Sequence, residues 1–430
     1  MHHFHLKGGE LHVEGVLVDA LAEKYGTPLY VYSAQTFQDH FNRLDQALSG
    51  IDHLICYALK ANSNLAVLSE LARLGAGFDI VSGGELQRVL KAGGKVSQST
   101  FAGVGKTRAE IELALKKGIY ALIAESEAEL AFINEVAGSL GMQAPVAVRV
   151  NPNIDAHTHA KITTGTYENK FGIAFERIPE VYRVAAKKKH LRLRGVQMHI
   201  GSQITSAAPF VAAVKKIIPL ARELKNSYGI EFLDIGGGLG IVYDPALESG
   251  SESWWKKQKN PPLTPAEYGR RIIPLVASLG LKILVEPGRF ICANAGILVS
   301  EVLYIKKTGR KNFVIVDGGM NDLIRPALYE SWHQIVPLQK KSGLHGGVIK
   351  SDVVGPVCES GDVFCKDRPL PRLKAGDRIA FMSAGAYGFV MASNYNSRPR
   401  PAEILVDGTK VLLARGRENF NDLIRGEHVR

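Results

Sequence analysis

YALIAESEAELAFINEVAGSLGMQAPVAVRVN, residues 120–151, decides how this chain folds. Its first run, YALIAE (120–125), is apolar and ends in an acid. From Ser126 to Leu140 apolar residues return at helical spacing, and VAVRVN (146–151) is a second short β-branched run. Two strands joined by such a helix pair in parallel, because only a crossover brings the chain back to the same end of a sheet. The same unit recurs in both directions. Strands are read at HLICYALK (53–60), GFDIVS (77–82), STFAG (99–103), RGVQMHI (194–200), FLDIG (232–236) and KILVE (282–286), which makes eight in all. Helical segments fall between them, among them Asn64 to Leu74, Thr107 to Lys117 and Pro265 to Leu279. Some open with an S/T-x-x-E cap such as Thr107 to Glu110. Eight strand–helix units within roughly 250 residues fit a closed (β/α)8 barrel better than an open doubly wound sheet.

The barrel is expected over residues 34–290. After Arg289 the texture changes to strand-like runs separated by Gly and Pro turns, such as NFVIVDGG, VVGPVCESGDVF and AEILVDGTKVLLARG. A β-rich domain over 291–430 follows. WWKKQKNPP, Trp254 to Pro262, reads as an exposed loop between the seventh strand and its helix.

The bulk properties narrow the function. With 430 residues, 46% hydrophobic and 22% charged, the chain can bury a large core and divide into two domains. Apolar runs break well before the roughly 18 residues of a membrane span, and no charged-then-apolar leader opens the sequence. A cytoplasmic protein without a membrane partner is expected. The four cysteines, Cys56, Cys292, Cys358 and Cys365, form neither a CxxC pair nor a dense framework, so neither zinc nor a disulfide scaffold is indicated. The net charge of +11 is dispersed, with clusters only at Lys187 to Lys189 and Lys256 to Lys259, and few aromatics are interleaved. Nucleic acid is therefore not an expected partner. His2, His3 and His5 alternate as exposed positions near a strand would, and no metal site is assigned to them.

In such barrels the active site lies at the C-terminal ends of the strands. The first strand ends in Tyr57-Ala58-Leu59-Lys60-Ala61-Asn62, the sixth in His199-Ile200-Gly201-Ser202-Gln203, the seventh in Asp234-Ile235-Gly236-Gly237-Gly238-Leu239-Gly240, and the eighth in Glu286-Pro287-Gly288-Arg289. Each motif alone has a plain reading. Lys60 could cap a carboxylate, the glycines could form a tight turn, His199 could be structural, and Glu286 with Arg289 could be an ion pair. Together they supply an amine for an aldehyde, a glycine cradle for a phosphate and a carboxylate for a pyridine nitrogen, which are the parts pyridoxal phosphate needs. Gly105-Lys106-Thr107 is a near miss for a nucleotide loop, because Thr100 stands where the first glycine belongs.

YALKAN, FDIVSGGEL, HIGSQ, GGGLGI and EPGR, in that order, resemble the alanine-racemase-like barrel family that includes ornithine and arginine decarboxylases. NPNIDAHTHAKITTG followed by KFGI, then DGGMNDLIRPALY, CESGD and AGAYGFVMASNYNSRPRP, resemble the diaminopimelate decarboxylases within it, and the likeness spans nearly the whole chain. The resemblance implies pyridoxal 5'-phosphate as cofactor and decarboxylation of meso-2,6-diaminopimelate to L-lysine. Lys60 would bind the cofactor covalently and His199 would stack on its ring. Ser202, Gly237, Gly238, Pro287 and Gly288 would surround its phosphate, and Glu286 would face the pyridine nitrogen. Arg289, Arg325 and Tyr329 would take the substrate's carboxylate and distal end, with Tyr387 touching cofactor or substrate. Cys358 would donate a proton and Glu359 would meet the distal amino group, both in the active site of a partner copy. A homodimer is thus implied, with residues 1–33 joining the β-rich domain. A decarboxylase of D-lysine, D-ornithine, ornithine or arginine shares most of these motifs. A racemase would need a second base, and an inactive binding homologue would have no use for Lys60, Glu286 and Cys358 together.

Overall fold

The computed structural model describes residues 1–154, 170–339 and 347–430, so most of NPNIDAHTHAKITTG, from Asp155 onward, lies outside the described residues. Two compact units are present: residues 40–241 with 261–291, and residues 1–39 with 242–260 and 292–430.

The first unit is a closed barrel of eight parallel strands, β1 (His53–Ala58), β2 (Gly77–Ile80), β3 (Ser99–Phe101), β4 (Ala121–Ala124), β5 (Ala144–Asn151), β6 (Leu191–Met198), β7 (Phe232–Asp234) and β8 (Lys282–Val285), with β8 paired to β1. All eight fall where the sequence places them. Helices cover the outer face of such a sheet and side chains fill its inside, so these strands read as continuous apolar runs instead of alternating. Register sets the inward polar residues beside one another. Asp79 on β2 lies next to Ala58 on one side and Thr100 on the other, and Gln197 on β6 lies next to Asp234 on β7.

The crossover helices begin where hydroxyl and amide side chains satisfy their first N–H groups. Asn64, Ser82, Thr107, Ser126 and Thr264 each accept from a backbone N–H in the first turn of the helix that follows. At Thr107 the capping box is complete, since Glu110 reaches back to the Thr107 N–H.

The second unit is β-rich. Its main sheet runs Val363–Pro371, Val348–Val354, Asn312–Val316, Gly296–Lys307, Leu29–Ser33, Ala402–Asp407 and Lys410–Arg415, with Arg378–Phe381 also pairing to Gly296–Lys307. Its core gathers Val31, Ile297, Val299, Ala380 and Ile404 from the sheet with Leu11, Val13 and Leu21 from the first residues of the chain. Among the described residues no helix is long and apolar enough to cross a membrane.

Two expectations fail locally. His2 is buried, donating from Nε2 to the Ala246 carbonyl at 2.8 Å and accepting the Phe4 N–H on Nδ1 at 3.2 Å. The ring packs against Gly250, a contact made across most of the chain and invisible to local alternation. The Trp254 segment is not only a loop, because a short helix, Glu252–Lys257, starts on the Ser251 hydroxyl. The Trp254 and Trp255 rings meet edge-on at 5.1 Å, and Trp255 Nε1 donates to the Ser249 carbonyl at 2.8 Å.

Candidate active site

β1 ends in the buried pair Tyr57 and Ala58, and the chain then makes one turn through Leu59–Ala61. Leu59 and Ala61 are buried, so Lys60 alone of the turn reaches outward, with its side chain 41% exposed. Its Nζ donates to Asp79 Oδ2 at 2.7 Å, and Asp79 is fully buried. The sequence reading missed Asp79 as a site residue, although FDIVSGGEL contained it. The signal available was an acid inside an apolar strand, where a carboxylate must find a cation or a donor.

Below this pair lies a buried acidic group. Glu286, just past β8, accepts from Gln197 Nε2 on both oxygens at 3.3 and 3.2 Å. Asp234, at the end of β7, accepts the Gly236 N–H on Oδ1 at 2.8 Å. Burial pushes the Asp234 carboxyl up to about 7. Burial, then the neighbouring Asp234 and Asp79 charges, hold Glu286 well above the usual carboxylate range. Gln197 and Asp234 are thus two further residues that sequence reasoning passed over. A cationic ring nitrogen placed against Glu286 would relieve this crowding, which is the electrostatic fit a pyridoxal ring requires.

The glycine turn after β7 is built for close approach. A side chain on Gly237 would stand 2.1 Å from the Glu286 carbonyl, and Gly238 has φ of +112°, a conformation L residues rarely adopt. The Gly237 N–H donates to His199 Nδ1 at 3.1 Å, so that nitrogen is bare. Burial, reinforced by the Arg149 and Lys60 charges, holds the His199 imidazole well below its usual range, so the ring is neutral. Arg289 donates through Nε and Nη2 to Ser202 Oγ at 3.2 and 3.1 Å, which joins the ends of β6 and β8. Gly288 packs on Ala58 and Ala61 beside the Lys60 turn, and the Pro287 carbonyl accepts the Ala58 N–H at 3.1 Å. Lys60, His199, Ser202, Gly237, Gly238 and the 286–289 segment therefore converge on one end of the barrel. Lys106 has no such role: its buried Nζ donates to the Gly103 and Ile123 carbonyls and to Glu129 at 2.7, 2.8 and 2.6 Å.

The remaining expected residues lie in the β-rich unit. Arg325 opens the short helix Arg325–Tyr329 and is buried. Tyr387 is half-buried with φ of +55°, a strained backbone of the kind that clusters at functional sites. Cys358 and Glu359 are exposed on a turn held by Asp362, whose carboxylate accepts the Met320 and Val357 N–H groups at 2.6 and 2.8 Å. The Cys358 N–H donates to Asn396 Oδ1 at 2.8 Å. Cys56, Cys292 and Cys365 are buried.

Comparison with known proteins gives the family. The family described as "Pyridoxal-dependent decarboxylase, pyridoxal binding domain" matches residues 34–293. The diaminopimelate decarboxylase of Vibrio cholerae is 49% identical over 423 residues, 98% of this chain and 97% of that one. That of Pseudomonas aeruginosa is 47% identical over 427 residues, 99% of each. The crystal structure of the Helicobacter pylori diaminopimelate decarboxylase complexed with L-lysine superposes with a TM-score of 0.87 at 42% identity, covering 95% of this chain and 98% of that one. This chain belongs to the diaminopimelate decarboxylases, within the pyridoxal-dependent decarboxylase family.

Proposed function

We propose that this protein decarboxylates meso-2,6-diaminopimelate to L-lysine and carbon dioxide with pyridoxal 5'-phosphate. The observation that carries it is the convergence, at one barrel end, of the Lys60–Asp79 pair with the buried Glu286 and the glycine turn. Lys60 would hold the cofactor, Ser202, Gly237, Gly238, Pro287 and Gly288 its phosphate, Glu286 its ring nitrogen and the neutral His199 its ring face. When bound, the cofactor supplies an electron sink for the pair released as carbon dioxide departs.

The protein's own residues do the rest. Asp79 holds the Lys60 amine at the mouth, and Glu286 would favour a protonated ring nitrogen in the bound cofactor. Arg289 fixes Ser202. Arg325, with Tyr329 and Tyr387, grips the substrate, since a planar guanidinium takes a carboxylate at two points. Cys358 Sγ gives a proton to the carbon that lost its carboxylate, and Glu359 meets the distal ammonium. Cys358 and Glu359 stand exposed on the single chain, as expected of side chains that work in a neighbouring copy. That supports a homodimer in which residues 1–33 and 291–430 complete the site built on 34–290.

The test is carbon dioxide release by the cofactor-loaded protein from meso-diaminopimelate, beside its stereoisomers and both hands of lysine, ornithine and arginine. Release from the meso isomer alone is expected. Release only from a D-amino acid or ornithine moves the enzyme to a sister specificity. Lys60→Ala should lose the visible absorbance of the lysine-bound cofactor, and an unchanged spectrum would assign that bond to another lysine.

A further inference from the structure

Three groups without charge meet the Arg325 guanidinium. Its Nη1 lies 2.8 Å from His333 Nε2, its Nη2 donates to Ser331 Oγ at 3.3 Å, and its Cζ stands 4.9 Å over the Tyr243 ring. His333 is itself fixed on two sides. Its Nδ1 lies 2.8 Å from the Met382 carbonyl, and its ring meets Tyr243 edge-on at 5.6 Å. Only 2% of His333 is exposed.

The tautomer follows from the partners. A carbonyl oxygen only accepts, so His333 Nδ1 carries the hydrogen and donates it to Met382. In the neutral ring Nε2 is then bare and accepts an Nη1 hydrogen from Arg325. A rigid ring that donates at one edge and accepts at the other transmits the position of the Met382 backbone to the guanidinium plane. A carboxylate could also orient Arg325, but it would cancel the charge that an anionic ligand needs. His333, Ser331 and Tyr243 orient without cancelling it.

We propose that His333 is a positioning residue, which sets the plane and tilt of the Arg325 guanidinium for two-point capture of a substrate carboxylate. The proposal rests on the reading of Arg325 as a substrate contact. It makes substrate affinity depend on a histidine that never touches the reacting atoms.

The experiment compares Arg325→Ala, His333→Asn, His333→Gln and the double variant Arg325→Ala/His333→Asn, all cofactor-loaded. Steady-state kinetics with meso-diaminopimelate are measured beside the cofactor absorbance spectrum and the thermal midpoint. Asn can donate to Met382 in place of Nδ1 but puts no acceptor where Nε2 stood, whereas the Gln amide oxygen reaches that point. His333→Asn should raise KM about tenfold with kcat retained within about twofold and an unchanged spectrum. His333→Gln should recover most of the KM, and the double variant should be no worse than Arg325→Ala. If Arg325→Ala raises KM and His333→Asn does not, the positioning role is overturned while the substrate reading of Arg325 stands. A wild-type KM in Arg325→Ala overturns both. Equal losses in the Asn and Gln variants, with a changed spectrum or midpoint, mark a purely structural histidine and also overturn the proposal.

Discussion

Gln197 offers both Glu286 oxygens its amide hydrogens, yet its own Oε1 is buried with no hydrogen-bond partner among the described residues, as is Asp234 Oδ2 beside it. Asp234 Oδ2 is satisfied if the two crowded acids share a proton. One negative charge then remains on the pair, held in place by Gln197 and ready for a cationic ring nitrogen. Gln197→Leu keeps the side chain's approximate volume and removes that hold. Hydrogen bonds to a charged group are worth about 1.5–3 kcal/mol, so cofactor affinity should fall by roughly tenfold or more, read by titrating the apoprotein with pyridoxal phosphate. The visible band of the bound cofactor should shift as well. Wild-type affinity and spectrum would reduce Gln197 to packing. The sequence made Lys60, His199, Glu286 and Arg289 legible because glycine, proline and strand ends frame them. Asp79, Gln197 and Asp234 were hidden inside the runs GFDI, GVQM and FLDI, where facing inward depends on how the barrel closes. Their only local signal was polarity in an apolar strand.

At the scale of elements, the strands were legible because parallel barrel strands are buried on both faces, and the helices because their caps stand in the sequence. The Glu252–Lys257 helix was not, since six residues carry too little period to declare themselves. Caps also couple neighbouring units. Glu110 Oε2 takes the Thr107 N–H at 2.9 Å while its Oε1 takes the Gly83 N–H at 2.7 Å, at the start of the helix Gly83–Lys91. Thr107→Ala removes one cap and should cost about 1 kcal/mol. Glu110→Ala leaves two N–H groups from two helix starts without their acceptor and should cost more, about 1.5–2 kcal/mol. Because the two residues share one box, the double variant should fall short of the sum. Denaturant unfolding measures all three. A Glu110→Ala cost no greater than that of Thr107→Ala would show that the Gly83 contact carries no stability.

For the whole molecule, buried acids outweigh buried bases near neutrality. Burial pushes Asp234, Glu85 and Asp322 each up to about 7, against about 4 in an unfolded chain. Between those values the folded state holds protons that the unfolded state has released, so these groups favour folding at lower pH, and that contribution is lost as pH rises through 7. His2 works in the opposite sense. Burial lowers it to about 4, so from about 6.5 downward the unfolded state takes a proton that the folded state refuses, and stability is lost as pH falls. Glu418, held down at about 2 against its burial by donors from Arg400 and Asn394, adds to that acid-side loss only below the ordinary carboxylate range. The net charge, already +11 at pH 7, also grows on acidification and adds self-repulsion. Three acids against one histidine leave the balance on the acids, so the apoprotein should be more stable at pH 6 than at pH 8, with a thermal midpoint a few degrees higher. Asp234→Asn should flatten the slope between pH 6 and 8. Calorimetry of the apoprotein across that range decides the matter: a midpoint that is flat or rises with pH would mean that the acids are ionised in the folded barrel, with Asp234 and Glu286 sharing no proton.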